Sequence, residues 1–535
     1  MRTLRPTVLL ATTVLATVLA ACAPSAPESA GDGASTGAEG TASDATLRIA
    51  TTTDVVNFNP LMGNSRTDSW VTDLMYPRLL TINEDGSKEP YLATEWGYSE
   101  DGMAAFYEIR DDFQWSDGTP VTAKDVAYSI NTVKEQNPTG NVVYGFMGNV
   151  VQATAVSDTR VEIELSQPDS IVVPEVGFWQ VIVPEAQFGK HNPVEDFANT
   201  EDWVSAGPFV LTEANRGQSY TLERVENYPM APGGTPVPAE VIFQVYPDVN
   251  TEILALQSGE VDVVANALPP AQVEPLRQAD GVELAEVPGL GFTQMVYNLE
   301  RKPLQDVQVR EALVHAVDYE AIRKVAVQGQ AISANSSPIT PSLSEYVDPS
   351  WKENTFDIQE SRRLLKEAGV EDLTLNMVYS MQDPVISAWA TLVRDSAAEA
   401  GITIDLEGLD RNTYLAKVQE GDYDIYAGSF AIMDEPVSNM ALQYLPDGAI
   451  NYAHVEDPQL TDLIQQAQAS VDDQERTALI QDAASRVREL YVDNIMYVQN
   501  LYVAHSDDWT NFTVRPSELL SIIDPESLAN ATPTN

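Results

Sequence analysis

Twice in this chain an amphipathic helical pattern runs into a glycine and re-emerges as alternating apolar residues. Asp357 and Glu360 form a capping-box pattern ahead of Leu364, Leu365 and Ala368; Gly369 is the stop, and Leu373 and Leu375 follow. The second stop is Glu399-Ala400-Gly401, followed by Ile402 and Ile404. Helix, glycine, strand, repeated, predicts an α/β fold with a largely parallel sheet. Further strands are predicted where Val161, Ile163 and Leu165 alternate with Glu162 and Glu164, and at 241–246. Asp306 caps a helix whose inward face is Val309, Ala312, Leu313, Ala316 and Val317. Asp457-Pro458 starts another, with Leu460, Leu463, Ile464 and Ala467 inward, and 474–491 continues as helix.

With 535 residues, 44% of them hydrophobic, the chain exceeds a single core, and about 150 residues per domain gives a prior of about three to four domains. Lys and Arg total 30 against 80 Asp and Glu, a formal charge of -50. That balance excludes nucleic acid as a partner and docking on anionic lipid through a protein face. Salt screens such a field within about 10 Å, so the charge is read first as a solubility feature. One Cys excludes intramolecular disulfides, and four scattered His with no His-Glu-x-x-His pattern give no metal motif. No cofactor is expected.

Met1 to Ala21 has Arg2 and Arg5 at its start, an uncharged run rich in Val, Leu and Ala, and a small-residue end. The apolar run, about 15 residues, is shorter than the roughly 20 needed to span a bilayer and reads as a secretory signal. Leu19-Ala20-Ala21-Cys22 resembles the bacterial lipoprotein processing box, which implies an acylated Cys22 as the new N-terminus. Residues 22–45 hold no aromatic or large aliphatic residue and are read as a flexible tether reaching on the order of 25–30 Å. Gly33-Ala34-Ser35-Thr36-Gly37 matches the G-x-S-x-G nucleophile pattern, but without the flanking strand and helix that pattern needs it is a chance match.

The most informative stretch is Phe113-Gln114-Trp115-Ser116-Asp117-Gly118-Thr119-Pro120, followed by Val121-Thr122-Ala123-Lys124-Asp125-Val126. It reads as strand, Asp-Gly turn, then a helix capped by Thr122 with Asp125 at its third position. Trp115, Asp117, Gly118 and Pro120 are read as fixing that turn. The stretch resembles the signature of the family 5 extracellular solute-binding proteins, the oligopeptide- and dipeptide-binding components of ABC importers. Glu89-Pro90-Tyr91-Leu92-Ala93-Thr94-Glu95-Trp96, Gly207-Pro208-Phe209, Leu256 to Asp262, Asp306 to Leu313 with Asp318, and Gly421-Asp422-Tyr423-Asp424 are similar to further segments of that family, in order. Arg310 and Asp318 are read as buried or bridging partners that orient a helix, and Tyr423 and Ile425 as strand core.

The resemblance implies a two-lobe periplasmic-binding-protein fold with an extra third domain. Its expected parts are a signal peptide at 1–21, a lipidated linker at 22–45, lobe I from 46–88, 205–292 and 499–535, an extra domain at 89–204, and lobe II at 293–498. Crossings near Val296-Tyr297 and Tyr497–Asn500 would form the hinge.

The function implied is capture of an oligopeptide or related small solute between closing lobes, and delivery to the permease subunits of an ABC importer. The protein is expected to be an extracytoplasmic, lipid-anchored monomer and not an enzyme. Site residues projected from the family pattern are Asn64, Ser65, Tyr144, Tyr379, Ser380, Ser429, Phe430, Ile432, Met433, Asp434, Tyr497 and Asn500, with Trp179 fitting an apolar groove. Ile432 stands where peptide-binding members carry the carboxylate that takes the ligand's α-ammonium. An isoleucine cannot neutralise that charge, which points to Asp434 as a substitute or to a blocked or cyclic peptide, a sugar or another small molecule. Two other readings are a secreted hydrolase using Asp434 and Glu435 as acid and base, and a sensor that reports solute without transport.

Overall fold

One strand, Asp493–Ser506, organises the sheet. Its first half pairs antiparallel with Phe292–Tyr297, through Thr293 opposite Tyr497 and Val296 opposite Asp493. Its second half pairs antiparallel with Val282–Pro288, from Pro288 opposite Asn500 to Val282 opposite Ser506, and with Val263–Val264. The short strand Ala331–Ile332 lies against Val498 and Gln499, between the two halves. The computed structural model describes residues 42–430, 433–517 and 519–534.

Twelve strands join in this sheet. On one side of Asp493–Ser506 lie Phe292–Tyr297, Ile425–Phe430, Leu373–Ser380 and Ile402–Leu409 in turn; on the other lie Val263–Val264, Thr46–Thr51, Glu240–Val245, Ser219–Arg224 and Phe209–Asn215. The two helix-glycine-strand units behave as their sequence predicts. Asp357 accepts from the Gln359 and Glu360 amides to start helix Ile358–Glu367, and Gly369 takes φ +71° beyond it. Helix Pro384–Ala400 ends at Gly401, φ +90°, a conformation glycine adopts without a Cβ penalty. The strands that follow, Leu373–Ser380 and Ile402–Leu409, pair in parallel with Leu373 opposite Ile402.

The sheet as a whole is mixed and not largely parallel. Leu373–Ser380 pairs in parallel with both its neighbours, and Thr46–Thr51 does the same with Glu240–Val245 and Val263–Val264. The strands around Asp493–Ser506 and the Phe209–Val245 meander are antiparallel. Parallel neighbours need a crossover, and the chain supplies helices for that at each end of the sheet but not at its centre.

The chain changes sheet partners at residues 289–291. Gly289 donates to the Gln499 carbonyl at 3.1 Å, and a Cβ on it would lie 2.8 Å from that oxygen. Only glycine permits that approach. On Asp493–Ser506 itself the partner changes between Tyr497 and Asn500.

A second, four-stranded antiparallel sheet is built from Ala93–Tyr98, Ala104–Ile109, Arg160–Leu165 and Val150–Ala155. Helix Ala123–Gln136 packs on it, started by a Thr122/Asp125 capping box. The turn before that helix is held as expected. Asp117 Oδ1 accepts from the Thr119 amide and hydroxyl, Gly118 takes φ +87°, and Trp115 is buried. Arg310 and Asp318 do not bridge each other. Arg310 is buried and donates to the carbonyls of Leu304, Gln305, Leu490 and Tyr491, while Asp318 caps helix Tyr319–Val325. Tyr423 and Ile425 are buried in the core.

Candidate functional site

Helix Arg66–Asp73 begins with its own capping box: the Ser65 hydroxyl accepts from the Asp68 amide, and Asp68 accepts from the Ser65 amide. Arg66, Ser69 and Asp73, at i, i+3 and i+7, fall on one face of this helix, and that face borders a cavity of about 250 Å³. Asn64 and Ser65 line the same cavity, with Asn64 Oδ1 accepting from Asn57 Nδ2 at 2.8 Å. The opposite wall is Gly140 to Val143 with Trp179, Val181 and Leu519. Asn141 Nδ2 donates to the Leu61 carbonyl at 2.8 Å, so the two walls are tied at one end.

At the other end Arg78 Nη2 donates to Asp73 Oδ2 at 2.7 Å and Arg78 Nη1 to the Phe178 carbonyl at 2.9 Å. Its guanidinium lies over the Phe178 and Trp179 rings, 5.3 and 5.8 Å from their centroids. Burial pushes the Asp73 carboxyl up and Arg78 opposes it. The cavity thus offers apolar and aromatic walls with a few polar groups along one helix face, a composition suited to holding a small organic solute.

Arg66 also borders a smaller space of about 30 Å³ with Leu268, Gln499, Asn500, Tyr502 and Ser521. Asn500 Nδ2 donates to Glu286 Oε1 at 2.9 Å, and Tyr502 Oη donates to Gln330 Oε1 at 2.6 Å, so this corner knits the strand shared by both halves of the sheet to its edges. Asn500 Oδ1 is buried with no hydrogen-bond partner, an acceptor left for a water or a ligand.

The other projected residues lie elsewhere. Phe430 meets Phe292 edge-on at 5.9 Å, and Met433 packs with Phe292, Ala334, Ile495 and Val498 in a small apolar cluster. Tyr497 is 1% exposed and belongs to the core beside Met377 and Trp389. Tyr379 and Ser380 end a strand opposite Gly408 and Leu409, and Ser429 pairs with Thr293. Tyr144 is exposed on the turn Val143–Phe146, next to the cavity wall. Ile432 and Cys22 fall outside the described residues.

Asp434 and Glu435 each have a cation of their own. Lys88 Nζ donates to Asp434 Oδ2 at 2.7 Å, and Arg476 pairs with Glu435, whose other oxygen accepts the Ser438 amide at the start of helix Pro436–Tyr444. Two carboxylates committed in this way to separate cations do not face a common reacting atom.

Residues 88–451 match the family described as bacterial extracellular solute-binding proteins, family 5 (middle). The chain belongs to that family. It is 25% identical over 520 residues to the oligopeptide-binding protein OppA of Bacillus subtilis, across 91% of this chain and 92% of the relative. It is 27% identical over 459 residues to the dipeptide-binding protein of Escherichia coli, across 80% and 84%. The ABC transporter substrate-binding protein CtaP of Listeria monocytogenes superposes with a TM-score of 0.82 at 22% identity, across 92% of this chain and all of that one, which shows the shared fold.

In this family 5 protein the sequence reading had placed Asn64, Ser65 and Asn500, and these three border the two spaces around Arg66. It had not found Arg66, Ser69, Asp73, Arg78 or Leu519. The capping box at Ser65 and Asp68, followed by the i, i+3, i+7 spacing, was the available signal for the first three. Arg78 and Leu519 have no local pattern to mark them.

Proposed function

We propose that this chain is the solute receptor of an ABC importer, a lipoprotein held at the outer face of the cytoplasmic membrane by acylated Cys22. It captures a peptide or related small solute between two lobes and hands it to a permease. What supports this reading is the family match over residues 88–451; the cavity of about 250 Å³ along Arg66–Asp73 is walled by residues 60–78 and 519 and by residues 140–143, 179 and 181. The peptide-binding names of the relatives support the solute class. In this reading lobe I is 46–88, 205–292 and 499–535, the extra domain is 89–204 and lobe II is 293–498. Solute closes the lobes because it contacts the closed form better than the open one.

The pairing of Lys88 with Asp434 favours a solute that is not held by a free α-ammonium at Asp434, since that carboxylate already has its counter-ion. Asn64, Ser65 and Asn500 are the polar contacts proposed for the solute. One acyl chain gives only marginal anchoring, so Cys22 would carry more than one.

Native mass spectrometry of the freshly purified protein tests the reading directly. A retained small molecule, or a tryptophan fluorescence change on adding members of a peptide and sugar library, is the expected result. Absence of both signals, with both libraries tried, would defeat it. Turnover of any library member that is lost in Asp434→Ala would instead favour the hydrolase.

A further inference from the structure

A group of buried charges lies apart from the cavity, where residues 88 and 169–175 meet residues 434–438 and 467–476. The Lys88 and Asp434 side chains are 13% and 6% exposed, and Lys88 Nζ sits 4.4 Å from the Phe178 ring centroid. Arg476 pairs with Glu435 and donates from Nε to Ser170 Oγ at 3.0 Å and from Nη1 to Tyr346 Oη at 3.3 Å. Ser170 gives its amide to the Gln468 carbonyl at 2.7 Å and its hydroxyl to the Ala467 carbonyl at 2.8 Å. Asp169 accepts from Asn149 Nδ2 at 2.8 Å. Glu175, on helix Val172–Trp179, is 2% exposed; it faces Asp434, Glu435 and Lys88, and its Oε2 has no hydrogen-bond partner.

The charges in this cluster do not balance. Asp169, Glu175, Asp434 and Glu435 stand against Lys88 and Arg476. Asp434 and Glu435 take one cation each, and Asp169, pushed up by burial, is pulled back by its Asn149 donor and the Ile171 amide. Tyr98 and Tyr107, whose hydroxyls bond the Val173 amide and carbonyl from the adjoining sheet, and Tyr346 are all pushed up by burial and stay neutral. Glu175 is left without a counter-ion of its own. Burying such a group charged is costly, and it takes up a proton instead. Burial first, then Asp434 and Glu435, push its carboxyl well above the usual range, against the pull of Lys88 and of a hydrogen bond from the Ser438 side chain.

We propose that this cluster is a proton-dependent latch: residues 88 and 169–175 hold residues 434–438 and 467–476 together with one proton bound at Glu175, and loss of that proton loosens the contact. The proposal rests on the two-lobe reading above, in which these segments belong to parts that separate and close. When they separate, Glu175 meets water and titrates as an ordinary carboxylic acid. Between that range and its raised value in the latched form, closing takes up one proton, so each pH unit upward weakens the latch by about tenfold. Below the window both forms are protonated, above it both are ionised, and the dependence vanishes. Solute would be held best under mildly acidic conditions and released as pH rises.

Hydrogen exchange on the full chain without solute, from pH 5 to pH 8, tests this. The Ser170 amide, bonded across the contact to Gln468, reports it directly; the Ser438 amide, bonded within its own segment to Glu435, reports the helix start that faces Glu175. After correction for intrinsic exchange, their protection falls by about tenfold per pH unit over part of that range, and Glu175→Gln makes the profile flat. A flat profile in the unmodified protein, or equal slopes in both, overturns the latch and leaves the two-lobe reading standing. Exchange of both amides only with global unfolding overturns the latch together with the two-lobe motion at this contact. Should Glu175→Gln not fold, Asp434→Asn removes one neighbouring carboxylate and moves the fall to lower pH. An unchanged profile in that variant also overturns the latch.

Discussion

Gly63 and Gly140 meet backbone to backbone: a Cβ on Gly63 would lie 2.6 Å from the Gly140 carbonyl oxygen. The Gly63 amide donates to the Thr139 carbonyl at 2.9 Å, so the segment cannot simply move aside. Gly63→Ala is expected to cost about 1–3 kcal/mol, the usual penalty for overpacking a tight contact. A lowered midpoint in urea denaturation at unchanged slope checks this, and an unchanged midpoint would show that the two walls of the cavity can yield.

Arg310 is 4% exposed and places its N–H groups on carbonyls from two separate chain segments, including Leu304 at 2.6 Å and Leu490 at 2.6 Å. Truncation strands several buried acceptors at once, each of which costs about 1–3 kcal/mol when left unpaired. Arg310→Ala is therefore expected to destabilise by roughly 3 kcal/mol or more, read from denaturant melts. Arg310→Lys, with fewer donors, should fall between it and the parent.

The Asp493 carboxylate accepts Tyr444 Oη at 2.6 Å beside Tyr426, and burial pushes its carboxyl up to about 6. A carboxyl raised in the folded state keeps its proton where the unfolded chain has lost it, so this group's contribution to stability falls as pH rises from about 4 to about 6. Asparagine still accepts from Tyr444 and cannot ionise. Relative to the parent, Asp493→Asn should gain up to roughly 2–3 kcal/mol on going from pH 4 to pH 7. Urea melts at the two pH values measure it, and an equal effect at both would mean that Asp493 ionises as freely in the fold as outside it.

Ser69 lies midway along the helix face that borders the larger cavity. Ser69→Phe would fill part of that space without removing any partner of the Asp73–Arg78 pair. Under the proposed function it weakens retention of the co-purifying solute by more than about tenfold, or about 1.4 kcal/mol. Mass spectrometry of the variant decides this, with circular dichroism to show that the fold persists.

What the sequence made legible was local. Asp357, Gly369 and Gly401 announce helix ends through capping and left-handed geometry, which depend on a few neighbouring residues, and the strands after them fell where alternation put them. Asn64 and Ser65 were found through a family pattern, and they border the cavity. The sheet's mixed character was hidden, because the run from Asn494 to Ala504 reads as apolar strand whichever partners it takes. The Lys88–Asp434 pair joins residues 346 positions apart, and among 80 acidic side chains nothing local singles out Asp434. Tyr497 shows the converse: a polar-tipped aromatic on a central strand was projected into the site and is packed in the core.

Strand Asp493–Ser506 bonds to one set of neighbours before Tyr497 and to another after Asn500. Residues 494–498 and 502–505 are all buried, so a slip of one residue on either side would disrupt the packing on both faces of the strand. Under the two-lobe reading proposed above, the two halves, like pages sewn into a single spine, would alter the angle between them but not their alignment. Cargo of differing bulk would then be met by a change in the opening angle, with the stitching left intact.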